Sequence, residues 1–214
     1  MDDVDEPPFA WGLVQTEERG ALPFALVHGE ALAAAAAWAL GAAEVALVDA
    51  TVGWAGLADA GDPVVLHDSR CPLLPPASIA ACLRPAVDED VVVLGVRPVT
   101  DTIKQVEVAR AGDGAPEAVL LGATLDREAL RAVAAPLVLT PAAVGRVAAW
   151  CAEQGCEDAP AESALVTLGL DDPGVLAHRL RAEGLDVRQV EVPPQGRRVQ
   201  DRDDLAVLEA LAGR

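Results

Sequence analysis

Three short runs hold the residues best suited to chemistry. Leu66-His67-Asp68 closes an apolar run, which puts its carboxylate at the C-terminal end of a predicted central strand. Ligands of open parallel sheets sit beyond such strand ends. A carboxylate there can hold Mg²⁺ or a ribose hydroxyl, although the same position suits a helix N-cap or a loop salt bridge. Arg97-Pro98-Val99-Thr100-Asp101-Thr102-Ile103-Lys104 gathers hydroxyls, a carboxylate and the chain's single lysine just past another strand end. Holding a phosphorylated polyol takes this mixture of hydroxyl donors, a cation and an orienting carboxylate; a polar turn leading into a hairpin would read alike. Thr124-Leu125-Asp126-Arg127 reads as a helix start, with Thr124 as N-cap and Asp126 near the positive end of the dipole. Arg127 could equally reach a phosphate from there. The sequence has no nucleophile elbow, Walker loop or GxGxxG fingerprint.

The elements that must carry these runs alternate. WGLVQ (11–15), EVALVDA (44–50), PVVLHD (63–68) and DVVVLGV (90–96) are strand-like. The last three are β-branched and apolar on both faces, as strands buried from both sides are. EALAAAAAWAL (30–40) and the proline-led PPASIAACLRPA (75–86) read as helices. Strand–helix repetition of this kind predicts a mostly parallel sheet with helices on both faces. Residues 99–124 instead alternate with period two around GDG, which predicts an extended hairpin arm. After it the pattern predicts a helix at 125–133, a short strand at 136–139 and a helix opened by Thr140-Pro141. A helix near 173–183, a strand at 186–192 and a last helix from Asp203 complete the chain, with no composition break to mark a second domain within 1–214.

Composition excludes whole classes. A formal net charge of −18 over 214 residues repels a nucleic-acid backbone before any local contact forms. The chain lacks an apolar run long enough to span a membrane, and its first residues are acidic where a targeting segment would be basic. A cytoplasmic protein is therefore expected. Cys71, Cys82, Cys151 and Cys156 are too scattered for a disulfide framework, and no second pair completes a zinc site beside Cys151 and Cys156; buried free thiols are expected. The alanine- and arginine-rich, lysine-poor composition resembles that of high-GC bacteria.

The fragments and their order resemble the 2-C-methyl-D-erythritol 4-phosphate cytidylyltransferase family. PVTDTIK (98–104) is similar to that family's proline–valine–x–aspartate–threonine–x–lysine signature. LHDSRCP (66–72), TLDR (124–127), LVHGEAL (26–32) and DDLAVLEAL (203–211) resemble further family segments, so the likeness covers essentially the whole chain. It implies a Rossmann-like nucleotidyltransferase sheet with a protruding, dimerising arm, and a homodimer is expected. The activity it implies joins CTP to methylerythritol phosphate with release of pyrophosphate and use of Mg²⁺. The implied catalytic residues are Asp68, also the candidate metal ligand, and Lys104; Asp101, Thr102, Arg127 and Arg198 are the implied substrate-binding residues.

The departures from the family pattern carry as much information. Where the family has a glycine-rich loop and a proline–lysine pair after its first strand, this chain has Val14-Gln15-Thr16-Glu17-Glu18-Arg19-Gly20-Ala21-Leu22-Pro23-Phe24. Such loops aim bare backbone N–H groups at a triphosphate of about four negative charges. Here two glutamates enter, and Arg19 is the sole cation left to meet a nucleotide. The motif arginine aligns with Cys71, leaving Arg70 displaced by one position; Ala135-Pro136-Leu137 replaces threonine–proline–glutamine, Gly196-Arg197-Arg198 replaces asparagine–isoleucine–lysine, and Cys156-Glu157-Asp158 replaces threonine–aspartate–aspartate. The expectation is a divergent member with lost or strongly reduced cytidylyl transfer, able to bind a polyol phosphate or to assemble with another protein. A working enzyme with a rebuilt CTP site, and a fold recruited to an unrelated task, are the competing readings.

Overall fold

The architecture was obtained as a computed structural model, which describes residues 8–109 and 118–212. In chain order the elements are β1 (Trp11–Gln15), the short pair β2 (Leu26–Val27) and β3 (Glu30–Ala31), α1 (Leu32–Ala42), β4 (Ala46–Leu47), α2 (Trp54–Ala60), β5 (Val64–Asp68) and α3 (Pro76–Asp88). Then follow β6 (Val92–Pro98), β7 (Lys104–Ala109), β8 (Ala118–Thr124), β9 (Arg131–Leu139), α4 (Pro141–Gln154), α5 (Ala161–Thr167), α6 (Pro173–Ala182), β10 (Val187–Glu191) and α7 (Arg202–Ala212).

The main sheet runs β10-β6-β9-β5-β1-β4. β1 is parallel to β4 and β5, and β6 is parallel to β10. β9 lies antiparallel between β5 and β6, which makes the sheet mostly parallel with one reversed central strand. Alternation along the strands sorts side chains to two faces. Val64, Leu66, Leu94 and Leu137 pack with Trp54, Leu57, Val147, Trp150, Leu165 and Leu176 from α2, α4, α5 and α6. Val65, Val93 and Val138 pack on the opposite face with Leu40, Ile79 and Leu83 from α1 and α3. A third cluster joins Val27, Leu32, Val199, Leu205 and Leu208, docking α7 beside α1. Gly95 is where β6 and β9 shift register, and a Cβ there would lie 2.4 Å from the Ala135 carbonyl oxygen. Only glycine permits that approach.

The arm is present as the antiparallel pair β7–β8, although it starts at Lys104 rather than at residue 99. Its expected GDG turn (112–114) lies outside the described residues. The helix expected at 125–133 is absent: a single 3-10 turn spans Arg127–Ala129, and β9 has already begun at Arg131. Thr124 ends β8, and it is Asp126 that caps, accepting a hydrogen bond from the Glu128 N–H. Residues 131–135 (RAVAA) fit a helix by propensity but pair along β6, so tertiary pairing overrode local preference. α2 and α5 are short helices additional to those the pattern predicts. The strand expected at 44–50 is reduced to two paired residues at the sheet edge.

Candidate functional site

β5 and β1 end side by side, with Gln15 opposite Asp68. Asp68 is 1% exposed and receives three arginines. Arg70 follows it in the tight turn after β5 and donates to Asp68 Oδ1 from its backbone N–H at 2.9 Å and from Nε at 3.2 Å, and to Oδ2 from Nη2 at 3.0 Å. Arg198 arrives after the 3-10 turn Pro194–Gly196, beside Val199, whose N–H donates to the Arg70 carbonyl at 2.7 Å. Its Nη2 and Nε lie 2.6 and 3.1 Å from Asp68 Oδ2. Arg19 turns inward from the loop after β1, with Nε 3.3 Å from Oδ2.

Two further carboxylates close the network. Arg19 Nη1 pairs with Asp171 at 2.9 Å, and Nη2 donates to the Asp171 carbonyl at 2.7 Å. Arg198 Nη1 pairs with Asp172 at 3.1 Å. Asp172 in turn caps α6 by accepting from the N–H groups of Gly174 and Val175. Three guanidinium charges thus face three carboxylates, Asp68, Asp171 and Asp172. Burial pushes the Asp68 carboxyl up, but the Arg70 hydrogen bonds and the charges of Arg198, Arg70 and Arg19 together outweigh it. The group is held well below the usual carboxylate range and stays ionised.

This donor set does not fit magnesium. Mg²⁺ takes near-octahedral oxygen ligands and keeps several waters, whereas both Asp68 oxygens are already engaged by guanidinium groups that would repel a cation. Among the described residues no group of three or more His, Cys, Asp or Glu side chains is arranged to hold a metal. Asp68, the expected metal ligand, stands in this structure at the centre of an arginine clamp. Cys71, in the place of the motif arginine, is buried, and burial raises its thiol to about 12, so it has no thiolate character. All four cysteines are free and buried, as expected.

The loop after β1 departs further from a phosphate cradle. Glu162, the second residue of α5, accepts from the backbone N–H groups of Thr16 and Glu17 through Oε1, the latter at 2.5 Å, and from Thr16 Oγ1 through Oε2 at 3.1 Å. Ser163 Oγ donates to Glu17 Oε1 at 2.6 Å. Glu162 and Asp171 were not among the residues singled out by sequence, because no motif spacing connects positions that lie some 150 residues along the chain from their partners.

The remaining expected residues lie around the base of the arm. Arg127 Nη1 donates to the Thr100 carbonyl at 2.8 Å, and with Pro98, Glu128, Arg131 and Glu191 it lines a cleft of about 350 Å³. A neighbouring cleft of about 360 Å³ brings Asp101 beside Arg97, Arg197 and Arg198. Thr102 and Lys104 are exposed near the start of β7. The fold thus joins Asp68, Arg19 and Arg198 in one buried network and gathers Arg127 and Asp101 near the arm, with Arg198 reaching both places.

No family model matches the chain. It is 33% identical over 155 residues to the 2-C-methyl-D-erythritol 4-phosphate cytidylyltransferase of Rhodococcus jostii, covering 72% of this chain and 57% of that protein. The corresponding protein of Corynebacterium diphtheriae is 33% identical over 126 residues, covering 59% and 41%. The matched stretch spans about half the length of these curated relatives. Among solved structures, 2-C-methyl-D-erythritol 4-phosphate cytidylyltransferase from Thermus thermophilus superposes with a TM-score of 0.62 at 20% identity, covering 98% of this chain and all of that one. The 4-diphosphocytidyl-2C-methyl-D-erythritol synthase from Anaerococcus prevotii gives 0.63 at 12% identity and 97% coverage of both chains. These likenesses show the nucleotidyltransferase-like α/β fold.

Proposed function

We propose that the chain is a member of the 2-C-methyl-D-erythritol 4-phosphate cytidylyltransferase family, to whose proteins it is similar, and that its cytidylyl transfer is lost or strongly reduced while a binding or assembly role in isoprenoid biosynthesis remains. The observation that carries this reading is the clamp of Arg19, Arg70 and Arg198 on Asp68. Nucleotidyl transfer is largely positioning and charge neutralisation. A carboxylate already neutralised by three fixed cations cannot also recruit a metal–nucleotide complex, and the loop after β1 offers a triphosphate carboxylates where it needs donors.

The ligand in this reading is a polyol phosphate, held at the base of the arm by Arg127, Thr102, Asp101 and Arg198. Two copies pair through β7–β8, in the cytoplasm of a bacterium. The experiment is pyrophosphate release from CTP, methylerythritol phosphate and MgCl₂. No release above the blank is expected, together with thermal stabilisation by methylerythritol phosphate through linkage, weakened in Arg127→Ala or Thr102→Val. Sustained release abolished by Asp68→Ala would establish the alternative, an active CTP-dependent enzyme making 4-diphosphocytidyl-2-C-methylerythritol with Lys104 and Asp68 in catalysis. Neither release nor stabilisation would favour recruitment of the fold to another task.

A further inference from the structure

The Glu162 carboxylate sits where an anionic ligand would. Two successive backbone N–H groups and a hydroxyl, all from Thr16 and Glu17, converge on its two oxygens. Successive N–H groups in a turn form an anion-binding concavity, and bonds from them to an ionised oxygen are of the stronger, charge-assisted kind. The anion is here supplied by the chain itself.

Glu162 is also held from behind. The Trp54 Nε1–H donates to the Ala161 carbonyl at 2.8 Å, and the Ala161 N–H donates to the Val52 carbonyl at 2.9 Å. Ala161, Ala164 and Leu165 anchor α5 in the core beside Trp54 and Leu57. Arg19, the cation of the same loop, is turned inward onto Asp68 and Asp171 and is only 6% exposed. Glu162 borders a cleft of about 390 Å³ that Thr16, Glu17, Asp49 and Ser163 also line. A phosphate approaching through this cleft meets an N–H pair already filled and walls that include the Glu17 and Asp49 side chains.

We propose that Glu162 is the specificity-determining residue of this loop, a built-in occupant of an oxyanion site formed by the Thr16 and Glu17 N–H groups, which excludes phosphate groups until it is removed. The inference rests on the preceding reading only in taking this loop to be where a nucleotide's phosphates would lie. A ligand's apparent affinity is its intrinsic affinity scaled down to the fraction of molecules in which Glu162 has swung away, so deleting the carboxylate uncovers affinity that the loop already has.

The test is calorimetric titration of the full chain with inorganic pyrophosphate in the absence of metal. Glu162→Ala is expected to bind about tenfold to a hundredfold more tightly than the wild type. Glu162→Gln should gain less, because its amide oxygen still accepts from the N–H pair. Glu153→Gln, which removes an exposed charge on α4, should leave binding unchanged. Amide exchange supplies a second readout: Thr16 and Glu17 should exchange faster in Glu162→Ala and regain protection with pyrophosphate. Equal binding in wild type and a folded Glu162→Ala, an equal gain in Glu153→Gln, or unchanged exchange would each overturn the proposal. Should Glu162→Ala unfold, Glu162→Gln decides by the same criterion. CTP turnover by the wild type would refute the preceding reading alone, since the pyrophosphate comparison needs no turnover.

Discussion

Asp68 sets the character of the site because a buried charge must be answered by charge. Arg19 has a side chain 2% exposed, against 18% for Arg198 and 21% for Arg70, so it has the least water to replace that carboxylate, with Asp171 as its other acidic partner among the described residues. Removing one member of a buried ion network costs more than the network contributes, since the survivors are left unpaired. Asp68→Asn keeps the size and hydrogen-bond acceptance but deletes the charge, and is expected to destabilise the fold by about 3 kcal/mol. Denaturant unfolding measures this; a loss within 0.5 kcal/mol, roughly the range of ordinary surface substitutions, would show that the network is solvated rather than buried. The nearby Cys71 is fully buried, and that burial keeps its thiol protonated.

At the scale of elements, the site is assembled by ends rather than by any one segment. β1 delivers the loop of Arg19, β5 delivers Asp68 and Arg70, the turn before α6 brings Asp171 and Asp172, and the stretch before α7 brings Arg198. α5 presents Glu162 only because Trp54 and Val52 fix its first turn. The β7–β8 arm has a different role. Val106, Leu120 and Leu121 are 61%, 51% and 77% exposed on a two-stranded ribbon, a form that is marginal in isolation. Exposed apolar strands call for a cover, and a second copy of the same arm can supply it through an isologous contact. Sedimentation equilibrium at micromolar concentration should therefore give a dimer, and Leu121→Lys should shift it to monomer without lowering secondary-structure content. A monomeric wild type would overturn the pairing of arms proposed above.

For the molecule as a whole, acid is the condition that exposes how its charges are arranged. His67 is fully buried, and neither ring nitrogen has a hydrogen-bond partner among the described residues. Burial pushes its imidazole down to about 4, against the opposing pull of the Asp68 charge. The unfolded chain binds a proton at this residue near its ordinary value of about 6.5, and the native state does not until about 4. Stability from this source is thus fully present above pH 6.5 and declines as pH falls toward 4, by up to about 3 kcal/mol. The depressed Asp68 carboxyl extends the loss below pH 4. Equilibrium unfolding at pH 7.5 and pH 5 should show the first decline in the wild type and a flatter response in His67→Leu. Identical pH responses would mean that His67 is hydrated in the native state.

The alternating layers, the apolar central strands, the arm and the position of Asp68 at a strand end were all legible in the chain, because periodicity and strand-end placement are local properties. The loss of a glycine loop and the stray arginine at position 70 were legible too. Propensity misread residues 125–133 because β6 offered RAVAA a ladder of hydrogen bonds that no local pattern announces. Tertiary structure alone decided that Arg19, Arg70 and Arg198 converge on one carboxylate and that Glu162 fills the N–H pair after β1. Those contacts join residues as far apart as 146 positions in the chain, and the charge that satisfies a buried group is set by which strand ends meet in space.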